Sequence, residues 1–231
     1  MILGLDTATE ILHLALVDGQ RAWTKRVMVG VGRSHSVSLL PALDELMQEA
    51  GASAADLHGV CCCAGPGGFT SIRIGVATAE GLALTGLPTW GFSSFLLRAQ
   101  ALKQAGTTGI FWVLLDGQRN EVFLQRWDET RPARDAQKAP LAALPGLIGQ
   151  ESWYAPSSLR PKLEAHLPPS IQLADEGGSM LAGLASLCRE LPRTPPENPI
   201  HPFYLRETDA EVNFPEASAH LGEALRKGIA R

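Results

Sequence analysis

Two aspartates hold the most suggestive positions in this chain. Asp6 closes the apolar run Ile2-Leu3-Gly4-Leu5, and Asp116 closes another, Phe111–Leu115. A carboxylate at the end of a first strand, present twice, is suited to holding a metal–nucleotide between two facing halves. In such sites glycine soon follows the aspartate, so that backbone N–H groups can reach phosphate. Asp116-Gly117 meets that requirement and Asp6-Thr7-Ala8-Thr9 does not. The competing reading is that both side chains cap turns, as aspartate commonly does. A second candidate is Gly65-Pro66-Gly67-Gly68, a loop able to cradle phosphate at a helix N-terminus. It lacks the Lys-Ser/Thr of a P-loop and the spacing of a dinucleotide fingerprint. The candidate phosphate-facing residues are therefore Asp6, Thr7, Gly65, Gly67 and Asp116.

Other chemistry is less well supported. The His residues at 13, 35, 58, 166, 201 and 220 include no pair at helical ligand spacing. Cys61, Cys62 and Cys63 sit on an expected strand, where they act as small core hydrophobes with Cys62 pointing opposite to its neighbours. No G-x-S-x-G elbow occurs, and Ser34-His35-Ser36 is better explained as the front of a helix than as a nucleophile.

The elements that position these residues follow from periodicity and turn signals. Met1–Leu5, Ile11–Val17 and Arg21–Val29 read as strands, the last two joined by an Asp18-Gly19 hairpin. A helix is expected from Arg33 to Ala50, with Leu39, Leu43 and Leu46 on one face, Gly51 as terminator and Pro41 marking a kink or a later start. Next come a strand at 58–64, the glycine loop, a helix from Thr70 to Thr85 capped by Thr70 or Ser71, a short strand at 89–91 and a helix at 93–105. The pattern then restarts. An offset of 110 residues sets Leu5 on Leu115, Asp6 on Asp116, Leu14 on Leu124 and Asp18 on Asp128, which points to duplication. Beyond it, helices are expected at 139–149, 159–166, 179–190 and 215–229, with a strand at 152–155 and a proline-rich connector from Leu191 to Pro202.

The helix at 70–85 is unusual. Its only charges are Arg73 and Glu80, and Gly75, Ala79, Leu82 and Gly86 form a stripe of mostly small residues. A helix apolar nearly all round is covered on both sides. One cover is its own sheet. The other is either a second layer of the same domain or another chain.

Composition narrows the function classes. The 231 residues carry a formal net charge of −4, which does not suit an autonomous nucleic-acid binder. No apolar run approaches a membrane span, no signal peptide is evident, and the cysteines form no disulfide framework, so a cytoplasmic protein without membrane partners is expected.

Ile2 through Thr9, His35 with Leu39-Leu40-Pro41, and above all Gly65-Pro66-Gly67-Gly68-Phe69-Thr70-Ser71-Ile72-Arg73-Ile74-Gly75 resemble the TsaB (YeaZ) family. Glu121-Val122-Phe123 and Pro202-Phe203-Tyr204-Leu205-Arg206 fit it too. The family usually has Ser and then Gly where this chain has Gly68 and Ser71. The resemblance implies an actin-like ATPase (ASKHA) fold of two related α/β subdomains, each a mixed sheet flanked by helices, that has lost its catalytic equipment. The expected division is 1–106, 107–200 and a tail at 201–231. The implied role is a non-catalytic partner of a TsaD-like catalytic subunit, acting with a TsaE-like ATPase. Together they place threonylcarbamoyl on the adenosine beside the anticodon of ANN-reading tRNAs. The expected partner interface comprises Ser34, His35, Leu39, Leu43, Ile72, Arg73, Gly75, Val76, Ala79 and Leu82. A homodimer is expected for the free chain, tRNA is reached only through the complex, and ATP or ADP binds at most in the complex. The alternative class is an enzyme, either a phosphotransferase using Asp6 and Asp116 or a glycoprotease-like metallopeptidase.

Overall fold

The computed structural model describes residues 1–29, 34–129, 131–147, 151–167 and 177–206. Arg33 and the helix expected at 215–229 lie outside them. The first sheet is built from β1 (Ile2–Asp6), β2 (Ile11–Asp18), β3 (Arg21–Met28), β4 (Gly59–Gly65) and β5 (Thr89–Ser93), in the order β3-β2-β1-β4-β5. The meander β1–β3 is antiparallel, and β4 and β5 add in parallel. The parallel additions need crossovers, and helices supply them: α1 (His35–Ala50) precedes β4, and α2 (Phe69–Ala83) joins β4 to β5. After β5 comes α3 (Ser94–Gln104), capped by the Ser93 hydroxyl, which accepts from the Leu96 N–H at 3.0 Å.

The second sheet contains β6 (Ile110–Gln118), β7 (Glu121–Asp128), β8 (Arg131–Pro132), β9 (Gln137–Pro140) and β10 (Ser152–Tyr154), with β10-β6-β7-β8 in order and β9 also paired to β7. Here β6 is antiparallel to β7 and parallel to β10, as β1 is to β2 and β4. The duplication is therefore structural, and the two mixed sheets give the actin-like arrangement. The pairing register differs by one residue. Asp6 lies opposite His13, whereas Asp116 lies opposite Val122. Leu124 thus answers to Ala15, one position away from the match the sequence offset suggests.

Both faces of the first sheet are covered, so β2 is buried at seven of its eight positions. α1 and α2 lie on one face. On the other lie α3 and α6 (Gly177–Glu190), the last α-helix among the described residues, which returns from beyond the second sheet to pack on β1 and β2. Close approach of α6 requires Gly4, since a Cβ there would meet the Cys188 Sγ at 2.6 Å. Cys61, beside Gly4 in the neighbouring strand, and Cys63, whose Sγ lies 3.2 Å from the Ser94 hydroxyl, share this face. Burial pushes the Cys62 and Cys63 thiols up, which keeps them protonated core residues.

Two local expectations change. α1 runs through Pro41 unbroken, because Pro41 sits on its exposed face, where water can serve the carbonyl the missing N–H leaves free. The helix expected at 139–149 is instead β9 followed by a single turn, α4 (Leu144–Leu147). Pro140, Pro145 and Gly146 break the apolar spacing that suggested a longer helix. α5 (Arg160–Glu164) lies within the helix expected at 159–166.

Candidate functional site in the cleft between the sheets

Asp6 is fully enclosed and its carboxylate is engaged. Oδ1 accepts the Ala8 N–H at 3.0 Å, and Oδ2 lies 3.0 Å from the His13 Nδ1 across the β1–β2 pair. Burial alone would raise its pKa. The His13 hydrogen bond, the charges of His13 and Arg98, and the Ala8 N–H together outweigh that, and the group is held below the usual carboxylate range. Arg98, buried on α3, is the counter-charge the sequence reading missed; one arginine within Phe95-Leu96-Leu97-Arg98-Ala99 was its signal.

Thr7 also points inward, its hydroxyl donating to the Ser71 carbonyl at 2.7 Å. Neither Asp6, Thr7 nor Gly65 borders the cavities described below, which corrects their assignment as phosphate-facing residues. The glycines of the loop serve packing. Gly65 has φ 107°, and a Cβ there would lie 2.7 Å from the Phe203 carbonyl oxygen. At Gly67 a Cβ would collide with the Ala8 carbonyl oxygen, so the loop rests directly on the first turn. Gly67→Ala is expected to lower stability by about 1–3 kcal/mol, the usual cost of overpacking, read as a fall in Tm.

Asp116 occupies the topologically equivalent position but a different environment. Half-buried, it accepts the Gln118 N–H at 2.8 Å through Oδ1 and the Lys162 ammonium at 2.7 Å through Oδ2. It borders two adjoining cavities, of about 530 and 710 Å³, on either side of the glycine loop. Lys162 comes from α5, 46 residues away, and nothing local in the sequence pairs the two.

A C-terminal strap closes one side. The Ile200 N–H donates to the Glu80 Oε1 at 2.7 Å, the Phe203 N–H to the Ala64 carbonyl at 2.7 Å, and an Arg206 N–H to the Gly117 carbonyl at 3.3 Å. The strap thereby ties α2 and β4 to the turn of the second sheet. Arg73 Nε donates to the Tyr204 hydroxyl at 3.0 Å, and its guanidinium lies 3.8 Å over the Phe69 ring.

The expected partner interface divides by burial. Leu39, Leu43, Ile72, Gly75, Val76 and Ala79 all face this chain's own core, and Leu82 is half-buried. His35 is buried too, with Nε2 donating to the Thr9 carbonyl at 2.7 Å. Ser34 and Arg73 alone of that set are exposed. α2 turns outward a stripe displaced by two residues from the expected one: Arg73, Ala77, Gly81, and Leu84 at its end. α1 exposes Val37, Leu40 and Pro41 in its first half, together with Ser36, and Asp44, Glu45, Gln48 and Glu49 in its second. Among the described residues no group of three His, Cys, Asp or Glu is placed to hold a metal ion. No helix among them is long and apolar enough to cross a membrane.

Fold and site together define a two-sheet, actin-like α/β protein whose first-turn aspartate is locked in the core. Comparison narrows the class. Residues 29–142 match the TsaD family, tRNA N6-adenosine threonylcarbamoyltransferase. The tRNA threonylcarbamoyladenosine biosynthesis protein TsaB of Escherichia coli strain K12 is 33% identical over 128 residues, 53% of this chain and 52% of that one. An uncharacterized protein of Mycobacterium tuberculosis strain H37Rv is 28% identical over 224 residues, 91% of this chain and 93% of the other. The solved structure of YeaZ from Pseudomonas aeruginosa superposes with a TM-score of 0.70 at 22% identity, over 87% of this chain and 98% of that one. The chain spans about half the length of the TsaB relatives from E. coli and Haemophilus influenzae that it matches. These likenesses support the TsaB/YeaZ family.

Proposed function

We propose that this chain is a non-catalytic subunit in tRNA threonylcarbamoyladenosine biosynthesis and that it docks a TsaD-like catalytic subunit through the exposed faces of α1 and α2. The observation that carries this reading is the set of apolar side chains exposed on those helices. Val37 is 63% exposed, Leu40 62% and Leu84 90%, with Ala77 and Gly81 completing the α2 stripe. Large apolar side chains exposed on neighbouring helices are the kind of surface a partner covers. The match of residues 29–142 to the TsaD family supports the choice of partner. Two chains of one fold can present like surfaces and pair about a pseudo-two-fold axis. The same logic gives a homodimer for the free chain, in competition with the TsaD-like subunit.

The locked Asp6 supports the non-catalytic reading, because a phosphotransferase of this fold needs both aspartates open to its metal–nucleotide. The net charge of −4 supports contact with tRNA only as part of the complex, with a TsaE-like ATPase supplying nucleotide hydrolysis. Tight ATP binding by the isolated chain is not part of this reading.

The test is association. Leu84→Glu and Leu40→Glu lie at exposed positions, and both variants should keep the wild-type circular dichroism spectrum. Mixed with a TsaD homologue in light-scattering chromatography and calorimetry, each should lose about 2 kcal/mol or more of binding, the scale of an interface hot spot. Wild-type affinity in both variants would place the interface elsewhere.

A further inference from the structure

We propose that the cleft binds a phosphoryl group at the N-terminus of α2, recognised from the side by the Nδ1 of His35. Two independent observations converge on one cavity. The first is the helix end. α2 spans fifteen residues, its N-cap is Gly68, and no side chain caps its first turn. The sequence promised a hydroxyl cap, but the Ser71 hydroxyl instead turns back to donate to the Gly68 carbonyl at 2.8 Å. The first-turn N–H groups therefore keep their partial positive charge for something else. The second is the imidazole. His35 is 5% exposed, and its Nε2 is spent on Thr9, while Nδ1 has no partner among the described residues. A buried polar atom left without a partner is costly and calls for one.

Both features border the cavity of about 710 Å³, whose wall includes His35 and residues Gly68 to Ser71. Their demands differ. The helix end asks for an anionic acceptor. With Nε2 donating to Thr9, the neutral imidazole offers a bare lone pair at Nδ1 and asks for a donor. A phosphate monoester or inorganic phosphate supplies both, since its second ionisation lies near pH 6–7 and the monoanion still carries a P–OH. One proton lies between Nδ1 and a phosphoryl oxygen, and the hydrogen bond holds whichever atom owns it. A phosphodiester or sulfate has no such proton at neutral pH. Of the acidic groups bordering the cavity, Asp116 is offset by Lys162 and Glu10 is exposed. Arg73 and Arg206 border the adjoining cavity and add positive charge on that side.

The ligand class is thus a terminal phosphoryl group, either free phosphate or the end of a nucleotide. The test uses the full chain, isotopically labelled, with amide and imidazole NMR shifts as the readout. The probes are inorganic phosphate, adenosine monophosphate, a dinucleoside phosphodiester and sulfate, at matched ionic strength. Phosphate should bind with Kd on the order of 1 mM and move the amides of residues 69–71 and the His35 ring together. Adenosine monophosphate binding more tightly would name a nucleotide end as the source, and equal binding would name free phosphate. His35→Gln retains a donor for Thr9 and lacks an atom at Nδ1; it should weaken phosphate at least about ten-fold, the worth of one charge-assisted hydrogen bond. Gly68→Asp requires only that the Ser71 hydroxyl rotate away, and it fills the helix end with a carboxylate. It should raise Tm and abolish phosphate binding, so it carries the test if His35→Gln does not fold. Unchanged binding in either folded variant, or diester or sulfate binding as tightly as phosphate, overturns the proposal.

Discussion

Ala79→Arg is expected to leave no folded protein, while Ala77→Arg, two residues earlier on the same helix, should fold normally and fail to associate. Ala79 is 0% exposed, packed in the core of the first sheet with Ile72 and Val76. A guanidinium there has neither room nor a partner. The cost of overpacking plus an unpaired buried charge is about 4 kcal/mol or more, a large part of a typical domain's total stability. Ala77 lies on the exposed stripe, where arginine is nearly as good a helix former as alanine and the stability change should stay within about 0.5 kcal/mol. The same side chain would nonetheless stand in the middle of the proposed docking face and block close approach. Thermal melts by circular dichroism and association with a TsaD homologue separate the two positions. A folded Ala79→Arg that loses its partner would mean that α2 is rotated by half a turn from the orientation described here.

This pair of positions also shows where the sequence stopped being informative. The strands of the first sheet, the Asp18-Gly19 hairpin and the strand–aspartate repeat at 6 and 116 are local patterns, and the sheets place them as read. The orientation of α2 is a different kind of problem. A face is assigned from the contrast between apolar and polar sides, and α2 is apolar nearly all round, so small residues at 75 and 79 and at 77 and 81 looked alike. The sheet decides between them. Gly75 must sit against Thr7, where a Cβ would collide with the threonine hydroxyl, and that sends Ala77 and Gly81 outward.

The site was legible only in part for a related reason. Asp116, Gly67 and the loop do border the cleft, yet the pairing of Asp116 with Lys162 and the strap from residues 200 to 206 join segments far apart in the chain. The lock on Asp6 came from a strand register. Which residue of β2 faces Asp6 depends on the four-residue turn between the strands, and its length does not fix the pairing as the tight hairpin between β2 and β3 does. The one-residue difference between the two sheets is what puts histidine opposite one aspartate and valine opposite the other.

Asp6 itself should prove to be a folding residue. In Asp6→Ala the His13 ring and the Ala8 N–H lose their acceptor and buried Arg98 loses its counter-charge. Removing one member of a buried charge pair costs about 3–5 kcal/mol, so the variant should melt far below wild type or remain unfolded. Asp6→Asn keeps the shape and one acceptor oxygen, and should fold with a smaller loss. It also isolates the charge. The folded-state pKa of Asp6 lies below its unfolded value, so the unfolded chain takes up the proton first as pH falls. The stability owed to the Asp6 charge is therefore fully present above the ordinary aspartate range, about pH 4, and lost at lower pH as the folded group is protonated. Other carboxylates with lowered pKa, such as Glu151, destabilise both proteins together and cancel in the difference. Thermal melts of wild type and Asp6→Asn between neutral pH and about pH 2 should thus converge on the acid side. A Tm difference that stays constant over that whole range would mean that the carboxylate contributes shape alone, and that the buried His13–Asp6–Arg98 cluster is not held by charge.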